Sequence, residues 1–144
     1  MEDYCVDPKE LNSLALAYLG DAVIELHVRE RLIKEGDVKP NRLHHRAVNF
    51  VSAKSQAEFL HYLVRTGLLT DFEMAVVRRG RNAKSATTPK NTDVQTYRYG
   101  TAFEALIGFL YLDNQEDRAE ALLNEMFRFK EILTDVGGGG GFHE

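Results

Sequence analysis

The sequence predicts an all-α fold of six or so helices in one domain, and three observations predict it. Apolar residues recur at three- and four-residue spacing along most of the chain, successive runs open on a capping residue or a proline, and no segment alternates as a half-buried strand does. The length of 144 residues suits one domain and buries a real core without disulfides.

The first helix is signalled by Asp7, Pro8 and Glu10: an N-cap, a proline at the first helical position and a carboxylate at the third. Leu11, Leu14, Ala15, Tyr18, Leu19, Ala22, Val23, Leu26 and Ile33 follow at helical spacing, and Gly36 closes the run. Gly20 within it marks a close packing contact or a kink. Pro40 opens a second helix with Leu43, Ala47 and Phe50 or Val51 on one face. Ser52 begins a third, with Ala53, Ala57, Leu60 and Val64 inward and Gly67 at its end. Thr70 and Glu73 form a capping box for a short fourth helix to about Arg79. The stretch from Gly80 to Thr92 is polar and basic and reads as an exposed, functional loop. Asp93 caps a long helix through Leu106 and Leu110. Asn114 caps a last one carrying Ala119, Leu122, Leu123, Met126 and Phe127. Residues 1–135 form the folded domain, and residues 136–144, with glycines at 137–141, form a tail expected to be disordered.

One cysteine, Cys5, excludes an internal disulfide. The acidic N-terminus lacks a secretory pattern, and the apolar stretch near 101–112 is too short and interrupted to span a bilayer. A cytoplasmic protein without a membrane partner is expected. The net charge is −4, yet its distribution favours a polyanion. Lys39, Arg42, Arg46 and Lys54 lie in one acid-free window, residues 38–57, beside His44. Arg78, Arg79, Arg81, Lys84 and Lys90 lie in another, residues 78–92. Of these, Arg78, Arg79, Arg81, Lys84, Lys90, Lys54 and His44 are the expected phosphate contacts.

Two carboxylates stand out. Asp21 lies among Ala17, Tyr18 and Ile24. Glu104 is the only charge between Arg98 and Asp113, in a helix that is apolar nearly all round. A carboxylate on an apolar face needs a hydrogen bond, an ion pair or a cation. For Asp21 the structural alternatives are a break at Gly20 or an arginine partner; for Glu104, a buried Arg or His. With two basic windows beside them, Mg²⁺ held by both carboxylates at a phosphate is the sharper reading. There is no Walker loop, GxGxxG or HExxH motif, and no side-chain nucleophile is evident.

The segments LALAYLGDAVIEL (14–26) and TAFEALIGFLYLD (101–113) resemble the two motifs of ribonuclease III. Together with VSAKSQAEFL (51–60) and RGRNAKSATTPKNTDVQTYRYGTAFEAL (79–106), they make the chain similar to the Mini-ribonuclease III family over roughly residues 9–130. The resemblance implies a ribonuclease III-like helical endonuclease domain working as a two-fold homodimer. Each protomer would carry one Mg²⁺-dependent site cutting double-stranded RNA, with Asp21 as catalytic aspartate and Glu104 as metal-binding glutamate. It also implies maturation of the large (23S) ribosomal RNA precursor. Full-length ribonuclease III has two further carboxylates, at positions occupied here by Leu14 and Thr101. Glu25, one turn after Asp21, is placed to assist. No double-stranded RNA-binding domain follows the second motif, so the catalytic domain must hold RNA alone, through the basic loop and the shape of an A-form groove. A non-catalytic RNA-binding dimer and a protein-interaction module are the competing readings.

Overall fold

The computed structural model describes residues 6–84, 90 and 92–137. It contains six α-helices, and no strand among those residues: α1 Ser13–Lys34, α2 Pro40–Val51, α3 Ala53–Arg65, α4 Asp71–Asn82, α5 Val94–Leu112 and α6 Glu116–Gly137. Residues 138–144, most of the glycine-rich tail, lie outside the described part. No described helix is long and apolar enough to cross a membrane.

Helix α5 is the hub. Residues Gly100–Leu110 are buried except for Glu104, and α1, α3, α4 and α6 pack around them. Phe59 of α3 meets Phe103 edge-on, with ring centroids 5.4 Å apart. A Cβ at Gly80 would lie 2.9 Å from the Ala102 Cα, so α4 approaches α5 more closely than a larger residue allows.

Capping chemistry sets most of the boundaries, with corrections at both ends. Asp7 caps a 3-10 turn, Pro8–Glu10, rather than the long helix. Leu11 is extended, and Asn12 then caps α1, its side chain accepting from the Leu14 N–H at 2.6 Å. Two capping signals in tandem make a turn and then a helix. Gly36, at φ +99°, terminates α1 as expected. Helix α4 runs one turn past Arg79 to Asn82, so the segment from Gly80 to Asn82 is helical, and Gly80 is buried. Asn114 ends α5 instead of capping α6. It adopts φ +62°, and the Gln115 N–H closes onto the Leu110 carbonyl at 2.8 Å.

Packing chooses the inward face of α1 and corrects that of α3. Helix α1 buries Leu16, Ala17, Gly20, Val23, Ile24, Val28 and Leu32. Tyr18 is 85% exposed and Leu26 64%, with Ile33 also outside. Apolar residues stand on several sides of α1, so periodicity alone cannot choose its face; the Gly20 contact described below does. In α3 the buried face runs through Gln56, Phe59, Leu60 and Leu63, leaving Val64 exposed.

Helix α6 is clamped onto α4 by Arg118. Its Nε and Nη2 donate to both Glu73 carboxylate oxygens at 2.8 Å, and Nη2 also reaches the Leu68 carbonyl at 2.7 Å. Glu73 at the same time completes the capping box with Thr70.

Candidate active site

Helices α1 and α5 cross backbone to backbone. A Cβ on Gly20 would collide with the Glu104 carbonyl, and one on Gly108 with the Leu16 carbonyl. Only glycine fits at either position. Asp21 follows Gly20, and Glu104 carries the carbonyl that Gly20 touches. The glycine contact therefore fixes how near the two carboxylates stand.

Glu104 is half-buried, and its carboxyl is pushed up to about 8. Burial is the largest cause, followed by the charge of Asp21 and a hydrogen bond with it. A hydrogen bond from Gln56 opposes the rise, and the charge of Glu25 adds to it. The two carboxylates thus face each other within hydrogen-bonding reach. Asp21 itself is exposed in the single chain, which corrects the expectation that both lie buried. Its helical neighbours are the buried Ala17 and Ile24 on one side and the exposed Tyr18 and half-buried Glu25 on the other. Among the described residues no Lys, Arg or His forms an ion pair with either group.

This donor set fits a divalent cation. Two converging carboxylates, one driven to hold a proton, are what a bound cation would restore to full charge. No cluster of three or more His, Cys, Asp or Glu side chains occurs among the described residues. The protein would supply two oxygen ligands and leave the rest to water and phosphate, as suits Mg²⁺.

Sequence reasoning missed Gln56. It is 1% exposed on the first turn of α3, where it touches Glu104. The available signal was an amide on the inward face of a helix whose other inward residues are mainly apolar.

The basic residues divide between committed and free. Arg42 and Arg46 pair with Asp37 at 3.5 and 3.2 Å, and Arg46 also pairs with Glu35 at 2.9 Å. Half of the first window is therefore spent inside the α1–α2 connection. Lys54 is exposed on the first turn of α3, and His44 lines a groove between α1 and α2 with Glu25 and Arg29. Arg78, Arg79 and Arg81 occupy the end of α4. Arg79 donates to the Lys9 carbonyl at 3.1 Å, tying the N-terminal turn to α4. Arg78 and Arg81 flank a shallow pocket with His61 and Tyr99, whose rings lie 4.3 Å apart. Lys84 and Lys90 are exposed. Residues 85–89 and 91 of the expected RNA loop lie outside the described part.

The Ribonuclease III domain family matches residues 14–115, which include both carboxylates and the glycine crossing. The chain belongs to the Mini-ribonuclease III family. It is 55% identical over 118 residues to "Mini-ribonuclease 3" of Staphylococcus aureus, covering 82% of this chain and 88% of that one. It is 48% identical to the protein of the same name from Brevibacillus brevis, over 90% of this chain and 96% of that one. A crystal structure of a Fusobacterium nucleatum protein superposes with a TM-score of 0.75 at 29% identity, over 86% of this chain and 98% of that one. The chain is thus an endoribonuclease of ribonuclease III type, from a divalent-metal-dependent family that acts on double-stranded RNA. Leu14 and Thr101, where full-length ribonuclease III resembles this chain but carries acids, line one small pocket with Gly80, Tyr97 and Arg98. No carboxylate lines that pocket.

Proposed function

We propose that the chain is a Mg²⁺-dependent endonuclease that cuts double-stranded RNA as a homodimer in the cytoplasm, maturing the large (23S) ribosomal RNA precursor, with residues 1–135 as the catalytic unit. The observation that carries the reading is the Asp21–Glu104 pair held across the Gly20–Gly108 crossing. Asp21 and Glu104 are assigned as the residues that hold the cation. When bound, the ion supplies polarisation of the scissile phosphate and an activated water. Arg78, Lys54, Lys84 and Lys90 carry exposed charge for the flanking phosphates, with half-buried Arg81 next to Arg78, and Arg79 and His44 join them at the edges.

The exposed stripe of Tyr18, Leu26 and Ile33 on α1 supports the homodimer, because solvated monomers seldom present such a row of large apolar side chains. Two-fold pairing there would bring two sites to opposite strands of one duplex. Tyr18→Asp is expected to leave a folded monomer in sedimentation, and an unchanged dimer would exclude this face.

The activity is tested on a gel with a structured RNA duplex and the purified chain. Discrete products that need Mg²⁺ are expected. Duplex binding without any Mg²⁺-dependent cut would instead make the chain an RNA-binding scaffold.

A further inference from the structure

Gln56 brings to the carboxylate pair an amide that belongs to a different part of the fold. Its Nε2 donates to the carbonyl of Val51, the last residue of α2, at 3.2 Å. Helix α3 lies along α5 with Ala53 against Gly100 and Phe59 against Phe103, which sets Gln56 beside Glu104, whose proton affinity it lowers as a donor. The amide nitrogen has two N–H groups, so one remains for Glu104. It therefore spans from a fixed backbone acceptor to a side-chain carboxylate. The backbone end is itself held. Ser52 caps α3 by accepting the Ser55 N–H at 3.1 Å, and the Ser55 hydroxyl donates to the Asn49 carbonyl at 2.6 Å. No buried side-chain polar atom among the described residues is left without a partner.

A buried amide is an expensive choice for packing alone, since Phe59, Leu60 and Leu63 fill the rest of that face with apolar groups. An amide is useful where a carboxylate must be aimed. Glu104 has rotamers that turn it from Asp21, and their mutual repulsion favours those rotamers whenever both are ionised. A donor anchored to the α2–α3 corner opposes that escape.

We infer that Gln56 is a positioning residue that aims the Glu104 carboxylate at Asp21 and so sets the affinity of the pair for a divalent cation. The inference rests on the reading of Asp21 and Glu104 as the cation site. Partners of this kind, which touch a ligand and not the metal, are typically worth about 10- to 100-fold in metal affinity.

The test is thermal unfolding of the full chain without RNA, across a Mg²⁺ titration, for the wild type, Gln56→Met and Asp21→Asn. Wild type is expected to gain Tm with Mg²⁺, and Asp21→Asn to gain none. Gln56→Met should need about 10-fold more Mg²⁺, or beyond, for half of its gain, with cleavage recovering at high Mg²⁺. A Gln56→Met curve displaced to lower Tm at every concentration, with the wild-type half-point, makes Gln56 merely structural and overturns the inference. Absence of any gain in wild type removes the cation site itself, which is a different failure. If Gln56→Met does not fold, Gln56→Asn, which keeps the amide but retracts it by one methylene, is held to the same half-point.

Discussion

Glu73 on α4 and Glu104 on α5 are both glutamates turned into the interior of one helical domain, and burial raises the proton affinity of each. At Glu73 the hydrogen bonds from Arg118 and Thr70 outweigh burial and hold the carboxyl below its usual range. At Glu104 the nearest charge is another carboxylate, so the effects add, and the carboxyl is pushed up to about 8. The same side chain is a completed clamp in one place and an uncompensated acid in the other. Burial alone does not mark a functional glutamate; burial beside a like charge, with no ion pair to it among the described residues, makes Glu104 the candidate.

The comparison can be broken most severely at Glu104. Glu104→Gln should drop cleavage of a duplex below detection while the metal-free protein unfolds at the wild-type temperature or above it, because a disfavoured charge has gone. A variant that cuts normally would remove Glu104 from the chemistry. Glu73→Gln should do the reverse. Removing one partner of the buried pair should destabilise the fold by on the order of 3 kcal/mol, read by urea denaturation, while cleavage per folded molecule is kept.

The two glutamates also predict opposite pH responses. Glu104 binds its proton more tightly folded than unfolded, so its contribution is full below about 4.5 and is lost as pH rises toward 8. Glu73 is depressed, so its contribution is present above its ordinary value of 4.5 and is lost as pH falls below it. Metal-free Tm should therefore decline between pH 5 and 8 in wild type relative to Glu104→Gln, and Mg²⁺ should oppose the decline. Parallel curves for the two proteins would contradict the assignment.

Smaller effects separate the basic residues. Arg78→Glu with Arg81→Glu should weaken duplex binding and lower the salt slope by about 1 per lost phosphate contact. Arg42→Ala, whose guanidinium is mostly solvated beside Asp37, should change stability by less than about 1 kcal/mol and leave duplex affinity alone.

Much of this was legible in the residues. The helices follow their capping signals from Pro40, Ser52, Thr70 and Asp93 because those are local interactions. Glu104 was visible as the only charge between Arg98 and Asp113. What escaped was set by distant contacts. Tyr18 and Leu26 share apolar character with Val23, and only the approach of Gly108 to Gly20 decides which of them turns outward. Arg42 and Arg46 look like free charge until the chain reversal after α1 brings Asp37 beneath them. Gln56 is unremarkable until α3 packs on α5 and carries it to Glu104.

The central claim, that Asp21 and Glu104 share a divalent cation, is tested most directly by anomalous diffraction from crystals soaked in Mn²⁺, which takes similar oxygen ligands to Mg²⁺. A peak at roughly 2.0–2.3 Å from carboxylate oxygens of both residues is the expected result. Manganese bound elsewhere, or by only one of the two with Glu104 turned away, would contradict it.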